Sequence, residues 1–160
     1  PTVTADPWTA KGPPLRLSIP AIGVDAAIES LALTAEQRIA VPSAWGKVGW
    51  YREGYRPGES GRAVLSGHVD DDRGQPAVFA RLKELEPGDT VTVAYSDGTA
   101  LTFQVGDRLL VDATAVDAAA WEAIFGGGEP PTLSLITCDG VWDAAARDYS
   151  QRLVVFAAQR

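Results

Sequence analysis

Apolar and polar residues alternate from Leu15 to Ile19, with Leu15, Leu17 and Ile19 set against Arg16 and Ser18. That period of two predicts a half-buried β-strand. Val24 to Ile28 predicts a second, shorter one. Leu31 to Tyr55 shows no period and carries scattered Gly and Pro with Trp45, Trp50 and Tyr51, so it reads as a loop packed by its rings. Pro57-Gly58-Glu59-Ser60-Gly61 supplies turn chemistry ahead of Arg62 to Ser66, whose Ala63, Val64 and Leu65 predict a buried strand. Between Pro76 and Leu85, the positions of Val78, Phe79, Leu82 and Leu85 fit an amphipathic helix that Pro87-Gly88 ends.

Thr90 to Tyr95 and Leu101 to Val105 flank Ser96-Asp97-Gly98, the clearest hairpin signal in the chain, and Leu109 to Val111 extends the same sheet. An alanine-rich stretch from Asp112 to Phe125 predicts a second helix, with candidate caps at Asp112 and Thr114 and a stop at Gly126-Gly127-Gly128. Leu133 to Thr137 and Leu153 to Ala158 read as central strands, joined by a polar loop through Asp139, Gly140, Asp143 and Asp148. Many short strands with two or so short helices define a mostly β barrel or sandwich. Residues 1–14 lack periodicity and read as an N-terminal arm, and residues 15–160 as one domain.

Composition narrows the class. With 46% hydrophobic residues the 160-residue chain can build a packed core, and its net charge of −7 argues against gripping a phosphate backbone, so nucleic acid is not an expected partner. No run approaches the roughly 20 apolar residues that span a bilayer. The chain starts at Pro1 and has no methionine, so any signal or membrane anchor is expected upstream of Pro1.

The chain has one cysteine, Cys138, and one histidine, His68. A lone thiol cannot form an internal disulfide; it is an inert core group, an intermolecular bridge or a reactive site. A reactive thiol needs a base or cation beside it, and His68 with Arg152, which opens the strand after Cys138, are the candidates. Read singly, each has a bland alternative: a small core hydrophobe, a structural imidazole, a surface charge. Asp70, Asp71 and Asp72 offer oxygen ligands for Ca²⁺, but their spacing lacks an EF-hand pattern and a solvated loop is the reading adopted. Trp45, Trp50, Tyr51 and Tyr55 read as packing under a loop in preference to a peptide groove. Gly126-Gly127-Gly128 lacks the Lys-Ser/Thr of a phosphate loop, and no cofactor is expected.

Three runs carry chemistry in a fixed order: Leu-Ser-Gly-His-Val-Asp at Leu65 to Asp70, Ser-Leu-Ile-Thr-Cys at Ser134 to Cys138, and Tyr-Ser-Gln-Arg-Leu-Val-Val around Arg152. In these the chain resembles the sortases, most closely the class F sortases of actinobacteria. Ile19-Pro20-Ala21-Ile22-Gly23-Val24-Asp25-Ala26, Val48-Gly49-Trp50-Tyr51, Pro57-Gly58, Pro76-Ala77-Val78-Phe79 and Pro87-Gly88-Asp89 add to the likeness, which spans about Leu15 to Ala158. One departure is Ser134, where the family usually has Thr.

The resemblance implies an eight-stranded β-barrel with Cys138 and Arg152 on neighbouring strands. It also implies a transpeptidase that cuts a Leu-Pro-x-Thr-Gly sorting signal between Thr and Gly and passes the acyl group to an amine of a cell-wall precursor. Cys138 would be the nucleophile, His68 the proton carrier and Arg152 the oxyanion partner, with Ser66, Ile136 and Thr137 expected to contact substrate. The enzyme would sit on the outer face of the membrane, held by an anchor upstream of Pro1, with residues 1–14 as the linker. An L,D-transpeptidase is disfavoured because its Ser-His-Gly-Cys run is missing. A hydrolytic or pilin-polymerising sortase, and a non-catalytic barrel in which the three residues do not converge, remain open.

Overall fold

In a computed structural model, which describes residues 12–35 and 40–160, eight strands close into a barrel in the order β1-β2-β3-β4-β7-β8-β6-β5. The strands are β1 (Pro14–Ile19), β2 (Val24–Leu31), β3 (Val48–Tyr51), β4 (Arg62–Ser66), β5 (Thr90–Tyr95), β6 (Ala100–Asp112), β7 (Thr132–Asp143) and β8 (Asp148–Gln159). The pairs β2–β3 and β4–β7 are parallel and all others antiparallel. Alternation along each strand sends one set of side chains inward. Leu17, Leu65, Phe103, Leu133, Leu135 and Val155 are among those fully removed from solvent in one continuous core. Each such side chain stabilises the fold by about 1.5–3 kcal/mol through burial.

A second, smaller cluster lies on the outer wall. Helix α1 (Ala118–Phe125) sets Ile124 against Val64 of β4 and Val154 of β8, with Ile136 and Phe156 packed around them. Asp117 caps its start by accepting a bond from the Ala120 N–H at 2.8 Å. Asp112, one of the expected caps, instead ends β6 and accepts from the N–H and hydroxyl of Thr114, a local turn that precedes the helix.

Other elements depart from the sequence reading. The segment from Pro76 to Leu85 is a run of turns with one 3-10 helix, Leu82–Glu84, so α1 is the sole α-helix among the described residues. Phe79, Leu82 and Leu85 are fully buried, but they recur every three residues, the repeat of i→i+3 bonding. The N–H of Leu82 donates to Phe79 O and that of Leu85 to Leu82 O. Val48–Tyr51, read as loop, is strand β3, paired with both β2 and β4. The polar stretch after Cys138 is not a loop but a hairpin extension of β7 and β8, with a register shift between Asp139 and Trp142. Pro14, assigned to the arm, already belongs to β1; residues 1–11 of the arm lie outside the described residues.

Candidate active site

In the β7–β8 ladder Ile136 faces Val154 and Cys138 faces Arg152. Leu135, Leu153 and Val155 fill the barrel, so the alternate residues Cys138 and Arg152 stand side by side on the outer wall. Parallel pairing of β4 with β7 sets Ser66 beside Ile136. His68 follows Ser66 by two residues as Cys138 follows Ile136 by two, so the backbones carry both to the same end of that wall. Gly67 makes this approach feasible: a Cβ there would come within 2.7 Å of the Phe79 ring and 2.8 Å of the Val78 side chain. The Gly67 N–H donates to Ile136 O at 3.1 Å, and the Thr137 hydroxyl donates to Gly67 O at 2.8 Å.

That last bond changes the reading of Thr137. Thr137 is 5% exposed and its hydroxyl is spent on Gly67, so it ties β7 to the residue before His68. Ser66 and Ile136 are half-buried on the outer wall, next to the paired residues.

His68 is held by the loop before β3. Its Nε2 lies 3.1 Å from Pro42 O, and the Trp45 ring meets it edge-on with centroids 4.5 Å apart. Trp45 therefore packs on the imidazole, while Trp50 is buried and donates to Tyr55 O, and Tyr51 packs on Phe125. Among the described residues no hydrogen bond joins the imidazole to the Cys138 thiol.

The Arg152 guanidinium folds back along β8. Nη1 donates to Tyr149 O and Gln151 O, and Nη2 to both carboxylate oxygens of Asp148, at 3.0 and 2.8 Å. The ion pair is partly exposed and adds little to stability; its effect is to fix the guanidinium beside the thiol. Asp70 is drawn in from the other side, where its carboxylate accepts from the Tyr149 hydroxyl. That bond, with burial, pushes the hydroxyl pKa up to about 12. Asp71 is spent on the N–H groups of Arg73 and Gln75, and no cluster among the described residues could hold a metal ion.

Burial pushes the Cys138 thiol above its ordinary range; Arg152 opposes this, and the Asp148 and Asp70 carboxylates add to it. The isolated protein is therefore expected to react with iodoacetamide with a pH midpoint above that of free cysteine, followed by intact mass at its single thiol. Asp148→Asn removes a negative charge and should move the midpoint down. A midpoint below the free-cysteine value in the unmodified protein would contradict this electrostatic picture.

A cavity of about 40 Å³ adjoins Cys138, lined also by Val69, Phe79, Thr137, Asp139 and Leu153. A larger cleft of about 430 Å³ lies between Leu109–Asp112 of β6 and the Ala119, Ala120 and Ala123 face of α1, and none of the three candidate residues lines it. No local pattern along the chain announces that Asp148 and the bonded Asp70–Tyr149 pair approach the thiol, although Asp148 and Arg152, four apart in a strand, share a face.

A closed eight-stranded barrel with a thiol, a guanidinium and an imidazole at one end of its outer wall defines a narrow class of β-barrel proteins. The chain belongs to the sortase family, whose Sortase domain matches residues 17–160. Sortase D of Bacillus subtilis (strain 168) is 40% identical over 65 residues, 41% of this chain and 29% of that protein, so the match spans less than a third of the curated relative's length. Among solved structures, Group B Streptococcus Pilus Island 1 Sortase C2 is 25% identical with a TM-score of 0.64, covering 91% of this chain and 73% of its own. Sortase C-1 of Actinomyces oris shares the fold at 22% identity with a TM-score of 0.70, covering 99% and 82% of the two chains.

Proposed function

We propose that this chain is a cysteine transpeptidase that cleaves an LPxTG-type sorting signal between Thr and Gly. The observation that carries the reading is the cross-strand pair of Cys138 and Arg152 on the wall reached by His68, in a chain of the sortase family. Because burial favours the neutral thiol, the first step is proton transfer from Sγ to His68 as sulfur attacks the Thr carbonyl carbon. The carbonyl becomes an oxyanion, and Arg152 supplies charge and planar donors to it. As the C–N bond breaks, His68 returns the proton to the departing glycine amine, leaving a thioester on Cys138. An incoming amine gives a proton to His68, attacks the thioester and releases the thiol.

Ser66 and Ile136 flank the thiol on the outer wall and are assigned to the sorting signal. Thr137 acts through Gly67. The reading extends to class F, to an amine of the cell-wall precursor as acceptor, and to the outer face of the membrane with an anchor upstream of Pro1. No helix among the described residues is long and apolar enough to cross a membrane. No cofactor takes part in this scheme. A second reading, joining of pilin subunits, draws on the likeness to a pilus-island sortase C.

The test is incubation of the protein with a Leu-Pro-x-Thr-Gly peptide library and two acceptors, an amino-acid amine of cell-wall type and a lysine side chain in a peptide, followed by mass spectrometry. Cleavage after Thr with ligation to the first acceptor is expected. Ligation to lysine alone would favour pilin joining, cleavage without ligation a hydrolase, and no processing of any peptide would overturn the transpeptidase reading.

A further inference from the structure

The peptide unit between Pro42 and Ser43 is engaged at both ends. Its carbonyl lies 3.1 Å from His68 Nε2, its N–H donates to Glu29 Oε1, and the Ser43 hydroxyl donates to Glu29 Oε2 at 2.7 Å. A carbonyl oxygen has no hydrogen to give, so Nε2 must be the donor, and the neutral ring then carries its lone pair on Nδ1. The C=O and N–H of one peptide are conjugated. A carboxylate that accepts from the N–H draws negative charge onto the oxygen and makes it a better acceptor, as in any polarised hydrogen-bond chain.

We propose that Glu29 is a positioning residue for His68, acting through the Pro42–Ser43 peptide to hold the Nε2–H tautomer and leave Nδ1 as the nitrogen that exchanges protons. The role matches that of the carboxylate that orients the imidazole in a Ser-His-Asp triad, with a peptide group placed between the two. The inference rests on the proton-carrying role assigned to His68 above.

The surroundings are built to keep this relay in place. Glu29 sits in β2 opposite Gly49 of β3, so its backbone is fixed by the barrel. The loop is tied down again by the Val78 N–H, which donates to Trp45 O at 3.1 Å, and the Trp45 ring closes one side of the imidazole. The bond from the Ser43 N–H, then that from its hydroxyl, and the charge of Lys47 hold the Glu29 carboxyl below the usual carboxylate range, so it is an anion at neutral pH. The charged groups on the other side of the site are Asp70, Asp148 and Arg152. Asp70 is bonded to Tyr149, and Asp148 and Arg152 to each other, while the ring's hydrogen bond goes to Pro42.

The chain has a single histidine, so a long-range ¹H–¹⁵N spectrum reads this one ring without assignment. Above neutral pH the unmodified protein should show a pyrrole-type Nε2 with a downfield, slowly exchanging proton and a pyridine-type Nδ1. Glu29→Gln keeps the shape and an acceptor oxygen but removes the charge. It should move the Nε2 proton upfield, speed its exchange and lower kcat about tenfold with KM nearly unchanged, the scale of a charge-assisted hydrogen bond. Ser43→Ala, which keeps the N–H, should give a smaller change in the same direction. A pyridine-type Nε2 in the unmodified protein, or a Glu29→Gln spectrum and kcat identical to it, would overturn the proposal. The same spectra recorded in the Cys138→Ala background need no turnover. A Glu29-dependent Nε2 proton in a protein inactive on every peptide would therefore support the positioning role while striking down the transpeptidase reading.

Discussion

Replacing Cys138 by Ala is expected to abolish peptide cleavage, lowering the rate by at least about a thousandfold. No second cysteine exists in the chain to take over, and the thioester adduct should vanish from intact-mass spectra with the activity. The change should leave the fold intact. Cys138 is held in place by backbone pairing to Arg152, and it stands on the outer wall at the edge of a small cavity, so losing the sulfur leaves no large void in the core. Cleavage chromatograms and a thermal melt separate the two effects. Undiminished cleavage by a folded Cys138→Ala protein would rule out the nucleophile.

The next largest effect is expected from Arg152→Lys. Lysine keeps the positive charge and can still pair with Asp148, so the local field at the thiol and the hairpin geometry survive. It loses the planar fork, and with it the fixed donors offered to a developing oxyanion. Removal of one such donor costs roughly a hundred- to a thousandfold in kcat. The expected signature is therefore a kcat loss in that range, little change in KM and an unchanged melting temperature. If turnover stays at the unmodified level, charge alone suffices and the guanidinium is a bystander. Loss of both turnover and fold would instead assign Arg152 to the hairpin, through its bonds to Tyr149 O and Asp148.

The strands with strong alternation or a dense apolar core were legible because burial on one face writes a period of two into the chain. Arg62–Ser66 and Thr90–Tyr95 fall at the residues expected. The misreadings have local causes. Phe79, Leu82 and Leu85 bury apolar side chains at intervals of three, which a helical template accepts, although the backbone satisfies its bonds by successive tight turns. Val48–Tyr51 is too short, and too interrupted by Gly49, to show a period, and it becomes a strand only because β2 and β4 pair with it on both sides.

The candidate site divides in the same way. Cys138, His68 and Arg152 could be picked out because their residue types are scarce and their flanking runs resemble those of a family. Glu29, Pro42 and the bond between Tyr149 and Asp70 could not, because their parts depend on contacts between segments far apart in the chain. Pro42 matters through a backbone carbonyl, which no side-chain pattern announces. Thr137 is legible as a neighbour of the thiol, but its bond to Gly67 joins segments 70 residues apart and leaves no local pattern.

Parallel pairing of β4 with β7 has a consequence for how the protein acquires activity. Adjacent antiparallel strands can zip from a tight turn, whereas this pair must close a long stretch of chain before its first bond is rewarded. The Thr137-to-Gly67 bond alone spans 70 residues. Cys138 and Arg152 can meet early, within the β7–β8 hairpin, but His68 joins them only after that long loop has closed. A chain in which β4 has not yet paired with β7 therefore carries Cys138 and Arg152 without the imidazole, so the appearance of turnover reports closure of that long loop and not formation of the β7–β8 hairpin.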